Sequence, residues 1–401
     1  MRVNFIIIFR EEKFGGIWFD THTMSYRFTE GLSDNDAREV GRRIPMMAAH
    51  GRRDIVSSPI QVYIELTREC NLRCRHCFTN AANERGAGLS TEKWLGALDE
   101  MSSTGVINAR FTGGEPTLRD DWYEILSRSK KLGFAVSLQT NGTYDDAEDV
   151  VKKIAGLELD QVTVSLDGIG ATHDALRGSG SFEKLLRTMK LMKAAGVRLR
   201  FNTILTKNNA AEMPAIFDLV SEYGVAINLF YMRSIGRGAD NLKISLDFEE
   251  HARSAAAVRE LWKNYPGIHV SHSGFYSPKL MAHNVKFPRI TYPYGNVAIS
   301  IASDGTYWPH HYSIYQGENF KLGEYPKDRL IDIWAGSKKL DGFRKWLSLL
   351  LERCEKCFEH GGRCSGINFE MEIEKISGRS PANPFCVNPE PAAEPWEYLE
   401  D

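Results

Sequence analysis

An α/β fold built on parallel strands, a partial (β/α)6 barrel, is what this 401-residue sequence predicts, and three observations carry the prediction. From about residue 60, strand-like runs alternate with helix-like runs six times over. Several of the helix-like runs close on glycine, the common left-handed stop. The polar motifs follow directly after strand-like runs, where such folds gather their reactive groups. Six units fall short of the eight that close a full barrel, so a doubly wound sheet stays open beside the partial barrel.

The units read in order as follows. "QVYIELT" precedes a cysteine-rich loop and the helical "STEKWLGALDEMSSTG". "NARFTG" leads into "DWYEILSRSKKLG", and "AVSLQTN" into "AEDVVKKIAGL". "QVTVSLDG" pairs with "SFEKLLRTMKLMKAAG", "RLRFNTILT" with "AAEMPAIFDLVSEYG", and "AINLFYM" with "FEEHARSAAAVRELWKNYP". The apolar runs are β-branched and short, while the helical ones carry a 3.6-residue apolar period. The barrel is assigned to residues 58–266, a small strand-and-helix piece to 1–57 and a cysteine-rich extension to 267–401.

Composition narrows the function. Fifty basic against 52 acidic side chains leave a net charge of -2, so no basic field points to nucleic acid or to a membrane surface. "VNFIIIF" near the start is too short to span a bilayer and runs at once into "REEK", which reads as a strand of a cytoplasmic protein. Seven cysteines in two separated groups argue for metal over a secreted disulfide framework.

The first group is "CNLRCRHC": Cys70, Cys74 and Cys77, with His76 between two of them. Structural zinc takes four ligands, often as paired units. A cubane held by three thiolates leaves one iron open for a small molecule. This CxxxCxxC run, its following aromatic Phe78 and the "GGEP" after the next strand resemble the radical S-adenosylmethionine (radical SAM) enzymes over roughly residues 58–245.

The resemblance implies a 4Fe-4S cluster on Cys70, Cys74 and Cys77 whose open iron chelates S-adenosylmethionine. It implies Glu115 at the amino group of that cofactor, with Gly113 and Gly114 letting backbone approach closely. Ser165 and Asp167 are similar to residues that reach the ribose, with Thr140 and Asn141 on the neighbouring strand end. Arg177 resembles the arginine that pairs with the cofactor's carboxylate, and Asn202 a further polar contact. Turn formation is the plain alternative for Asn141-Gly142 and Asp167-Gly168, and helix capping for Arg177. An electron from a reducing partner such as ferredoxin or flavodoxin, delivered to the cluster, would give a 5'-deoxyadenosyl radical that abstracts hydrogen.

The second group, Cys354, Cys357, Cys364 and Cys386, suits zinc or a cubane by spacing alone. Its surroundings, "ISIASDGTYWPHH" and "KLGEYPKDRLIDIWAGSKKLDGFR", resemble the SPASM/twitch-type extension of radical SAM peptide maturases, which implies one auxiliary 4Fe-4S cluster. The places of a second auxiliary cluster's ligands fall near Tyr292, at His310 and at Asn368, none of them cysteine. His310 and His311 are therefore candidate catalytic groups, acid, base or metal ligand, with a structural pair as the alternative.

At the N-terminus, "VNFIIIFREEKFGGIWFDTHTMSYRF" predicts strands turning at Gly15-Gly16 and near "DTHT", followed by a helix at "DNDAREVGRRI". It loosely resembles a small peptide-recognition module, able to take a peptide as an added strand or merely to cover the barrel. The expected activity is radical modification of a ribosomally made precursor peptide. A tetrapyrrole or other small-molecule cofactor precursor is the alternative substrate. A non-catalytic iron-sulfur carrier or zinc-stabilised scaffold leaves the cofactor-contacting residues without a role.

Overall fold

The computed structural model describes residues 6–47, 52, 54–81, 88–272 and 294–356. The N-terminal strands are β1 (Ile7–Glu12), β2 (Gly15–Asp20) and β3 (Ser25–Thr29). Helix α1 (Asp34–Glu39) starts at a capping box between Ser33 and Asp36 and stops earlier than the sequence predicts. Its expected second half, "VGRRI", is strand β4 (Val40–Ile44), parallel to β1. Val40 and Ile44 favour extended backbone, Gly41 weakens a helix, and the open edge of β1 supplies the hydrogen bonds. The first turn is Lys13-Phe14, one pair ahead of the expected glycines, and the sheet order is β3-β2-β1-β4.

The six predicted units follow. Strands β5 (Gln61–Glu65), β6 (Asn108–Thr112), β7 (Ala135–Thr140), β8 (Gln161–Ser165), β9 (Leu199–Leu205) and β10 (Gly224–Tyr231) are parallel neighbours in chain order. Between them lie α2 (Thr91–Ser103), α3 (Trp122–Lys131), α4 (Ala147–Gly156), α5 (Ala171–Arg177), α6 (Ser181–Ala194) and α7 (Met213–Tyr223). Short α8 (Arg237–Asp240) and α9 (Phe248–Trp262) come after β10. Alternation explains the layers. Val62, Ile64, Phe111, Leu138, Val164 and Phe201 are fully buried under the helices, while the residues between them form the concave face.

The sheet outgrows the expected barrel. Strand β11 (His269–His272) pairs in parallel with β10, and β12 (Ala298–Ile301) in parallel with β5. Antiparallel β13 (Thr306–Trp308) and β14 (Gly323–Glu324) complete ten strands. The expected boundary at residues 266/267 therefore runs through one continuous sheet, because the edges of β5 and β10 are completed by the extension. Helices α10 (Leu330–Gly336) and α11 (Lys338–Glu355) pack beside it, with Trp334 Nε1 donating to the Val56 carbonyl at 2.9 Å.

The small sheet sits under the barrel's N-terminal end, opposite the cysteine loop. Fully buried Arg10 donates to the carbonyls of Ser58, Pro59 and Gly105, at 2.7, 3.0 and 2.8 Å, just ahead of β5 and β6. Arg42 donates to the Gly133 carbonyl ahead of β7, and Arg198, ahead of β9, donates to the His22 carbonyl at 2.6 Å. Glu12 balances Arg10 at 2.9 Å and accepts from the Ser57 amide, so the buried charge is paired.

Candidate active site

The loop after β5 carries the three thiols, and the loop after β6 holds it in place through backbone. The Gly114 amide donates to the Thr67 carbonyl and the Glu115 amide to the Glu69 carbonyl, both at 2.7 Å. A Cβ at Gly113 would lie 2.3 Å from Thr67 O, and one at Gly114 2.1 Å from Glu69 O. Gly113 also has φ +147°, so both positions need glycine. The close approach expected of these glycines is made to the cysteine loop's own backbone.

Glu115 is fully buried, and its carboxylate is met on both oxygens. Thr117 Oγ1 and Thr140 Oγ1 donate to Oε1 at 2.7 and 2.9 Å, and the Asn141 amide to Oε2 at 2.8 Å. Burial pushes its pKa up, against these donors. Asn141 in turn gives Nδ2 to Asn71 at 2.8 Å and lies 4.0 Å from Cys70 Sγ. One network thus joins Glu115, Thr140 and Asn141 to the first cysteine.

A second network joins Asp167 and Arg177 to the other cysteines. Asp167 is fully buried, its Oδ2 taking Arg177 Nε at 2.6 Å and His76 Nε2 at 3.1 Å and its Oδ1 the Ile204 amide at 2.7 Å. Burial alone would raise its pKa, but Arg177 and His76 hold it well below the usual carboxylate range. Both oxygens of Asp167 are thus engaged within the protein. Arg177 reaches Cys74 Sγ at 3.7 Å while held by Asp167. Ser165 and Asn202 are register partners on β8 and β9, and Asn202 accepts from Asn228 Nδ2 at 2.8 Å, apart from both networks.

Each of the three sulfurs has a donor beside it. The Leu72 amide is 3.4 Å from Cys70 Sγ, Arg177 Nη1 is near Cys74, and Thr79 Oγ1 is 3.2 Å from Cys77. Burial pushes the Cys70 thiol up to about 12 and raises that of Cys74. A bound cation is what would ionise such thiols, and the donors suit the thiolates so formed. Among the described residues no trio of His, Cys, Asp or Glu already stands in a ligating triangle. Donor set and chemistry fit an iron-sulfur cluster held by three thiolates. Cys354 ends in the last turns of α11, and its side chain, with Cys357, Cys364, Cys386, Tyr292 and Asn368, lies outside the described residues.

His310 and His311 follow β13 and face the cysteine loop. His311 stacks on Tyr63 at 4.9 Å between centroids and meets Phe78, next to Cys77, edge-on at 5.3 Å. Burial, then Arg233 and Arg110, pushes His311 down to about 3. Burial, His311 and Arg233 put His310 well below its usual range. Burial and the nearby Arg233 favour the neutral form of each ring, the form in which an imidazole can accept a proton or bind a metal.

Sequence reasoning missed Glu65 and Tyr315. Glu65, 4% exposed at the end of β5, accepts from Tyr315 Oη and, at 3.3 Å, from Ser303 Oγ. Burial pushes its pKa up to about 7, with Arg68 opposing. The signal was a lone carboxylate ending the apolar run "QVYIEL". In "YMRSIGRG", which runs on from β10, Arg237 donates to the carbonyls of Cys74 and Ala81, both at 2.9 Å, clamping the cysteine loop.

Residues 64–220 match the model of the Radical SAM superfamily. The Fe-coproporphyrin III synthase of Methanosarcina barkeri is 29% identical over 384 residues, 88% of this chain and 94% of that protein. Mycofactocin maturase MftC of Mycobacterium tuberculosis is 33% identical over 187 residues, 46% of this chain; the match spans 48% of the maturase. Streptococcus suis SuiB bound to S-adenosylmethionine superposes with a TM-score of 0.73 at 18% identity, covering 95% of this chain and 99% of that one. SuiB bound to precursor peptide SuiA gives 0.69, also at 18%, covering 85% and 91%. The last two share the parallel-strand fold. The superfamily binds a 4Fe-4S cluster and S-adenosylmethionine, and the sulfur donors and the buried Glu115 lie inside the matched region. With thiol loop, glycine clamp and family match all on the same stretch of sheet, the chain carries a radical SAM domain and is a radical SAM enzyme.

Proposed function

We propose that this radical SAM enzyme modifies a carboxylate-bearing tetrapyrrole. The observation that carries the reading is the extent of one match: similarity to the Fe-coproporphyrin III synthase runs through 88% of this chain, whereas that to the peptide-type maturase MftC is confined to 46%. The longer match takes in most of both chains, so it weighs more. The order of substrates that the sequence alone favoured is thereby reversed. Precursor-peptide modification stays as the second reading, supported by the 33% identity to MftC over 187 residues.

Cys70, Cys74 and Cys77 would hold the cluster, and Glu115 and Arg177 the amino and carboxylate ends of S-adenosylmethionine. Bound there, cluster and cofactor supply a 5'-deoxyadenosyl radical for hydrogen abstraction. Asp167 is assigned to hold Arg177 and His76, with Thr140 and Asn141 orienting Glu115; Ser165 and Asn202 are left facing the ribose side. His311 serves as ring surface beside Tyr63 and Phe78, and fully buried His310 packs against it at 4.6 Å between centroids. Cys354, Cys357, Cys364 and Cys386 would carry one auxiliary 4Fe-4S cluster for electron relay from a ferredoxin- or flavodoxin-like donor.

The test is anaerobic turnover with dithionite and S-adenosylmethionine, with and without a panel of carboxylated tetrapyrroles that includes coproporphyrin III and its iron chelate. Tetrapyrrole-dependent 5'-deoxyadenosine and a mass change in the tetrapyrrole are expected. Turnover indifferent to every tetrapyrrole sinks the reading in favour of the peptide.

A further inference from the structure

The concave face holds two arginines that the cofactor chemistry leaves unused. Arg110 is the register partner of Tyr63, and Arg200 that of Thr163. Their chain neighbours Ala109, Phe111, Leu199 and Phe201 are buried on the helix side, so strand alternation turns both guanidinium groups into the barrel.

Neither meets a carboxylate among the described residues. Arg110 lies over the Tyr63 ring at 5.0 Å and donates only to Gln61 Oε1, at 3.4 Å; Arg200 donates to the Thr23 carbonyl at 3.3 Å. The Nε of each is buried without an acceptor. Burial, then Arg110 and Arg198, pushes Arg200 down to about 10, a sign of like charges gathered with no counter-charge between them. Two fully enclosed arginines, by contrast, are paired: Arg10 with Glu12 and Arg177 with Asp167. Arg110 on β6 and Arg200 on β9 face one interior across β7 and β8, near enough for Arg110 to lower the pKa of Arg200. Such poorly solvated guanidinium groups with spare donors form a receptor for an anion, and their planar forks match a carboxylate.

The neighbourhood supplies the other half of a recognition surface. The Tyr63 ring under Arg110 stacks on His311, which meets Phe78 next to the last of the three cysteines. A flat apolar surface thus adjoins a cationic one, a combination suited to an aromatic macrocycle with acidic arms.

We propose that Arg110 and Arg200 together bind a carboxylate side chain of the substrate. The identity of the acid as a tetrapyrrole rests on the function proposed above; the anion site itself does not.

The experiment titrates coproporphyrin III and its tetramethyl ester into holoenzyme, followed by Soret absorbance, for wild type, Arg110→Gln, Arg200→Gln and the corresponding lysine variants. Each glutamine variant is expected to raise the Kd of the tetra-acid about tenfold or more, and lysine less, while the ester distinguishes none of them. Circular dichroism and thermal melting establish that the variants are folded. Wild-type and glutamine variants binding the tetra-acid equally would overturn the proposal while leaving the tetrapyrrole reading intact. In parallel, phenylglyoxal labelling of wild type is mapped by mass spectrometry with and without succinate. Protection of Arg110 and Arg200 by succinate, with no porphyrin bound, keeps the anion site and sinks the tetrapyrrole. Labelling of both arginines unchanged by succinate, together with equal tetra-acid binding by wild type and the glutamine variants, removes the anion site.

Discussion

Asp167 Oδ2 lies 2.6 Å from Arg177 Nε, and the same guanidinium reaches to 3.7 Å from Cys74 Sγ, so a fully buried carboxylate holds a cation against the thiol loop. Asp167→Asn keeps the volume but strands Arg177 beside an unpaired, buried site. A loss of about 3–5 kcal/mol in urea unfolding is expected, because a broken buried pair leaves its charge uncompensated. The double variant Asp167→Asn/Arg177→Gln should lose less than the two single effects added together. Strict additivity would show that the pair is not energetically coupled.

Gly114→Ala places a methyl 2.1 Å from Glu69 O, a backbone atom that cannot swing aside, immediately before Cys70. Loss of more than about half of the iron bound at the N-terminal site is expected, with the far-UV spectrum retained. Gly31→Ala, with nothing within 4 Å, is the control. Equal iron in the two variants would mean that the loop is not positioned by this contact.

Glu65 gives a pH dependence with a definite sign. Its folded pKa, about 7, exceeds the ordinary carboxylate value, so the folded state binds more protons than the unfolded one between pH ~4.3 and 7. Its contribution therefore makes stability fall as pH rises through that window. Glu65→Gln should remove up to ~3 kcal/mol of this decline, read as the difference between melts at pH 5 and pH 8. An unchanged difference would place the titration elsewhere.

The auxiliary site is counted by iron. Anaerobically reconstituted wild type should bind about eight irons, and either Cys70/Cys74/Cys77→Ala or Cys354/Cys357→Ala about four, each cubane accounting for half. Four irons in wild type, none in the first variant and zinc in both would make the C-terminal site structural.

The six βα units were legible because each strand is a short run bounded by turn residues and followed by a helix-like stretch, and glycine ends several of the helices. Strands β11 and β12, four residues each, were not: their place is set by the open edges of β10 and β5, far away in sequence. The same non-local pairing turned "VGRRI" from helix to strand. In the site, the thiols and Glu115 could be read from motif spacing. That Asp167 faces Arg177 and His76 depends on how the turn after β8 folds back on the cysteine loop. Arg110 and Arg200 carried no motif; their common face appears only once strand register is known.

The N-terminal sheet, stapled by Arg10 to the segments that enter β5 and β6, divides the work of the cavity between separate stretches of chain. The thiol loop and the clamp at Arg237 govern what happens at the mouth, while residues 7–44 set how deep the vessel is and keep solvent out from below. Floor and sulfurs thus rest on separate contacts: the turn at His22-Thr23 receives Arg198 and Arg200, while the sulfurs meet Leu72, Arg177 and Thr79.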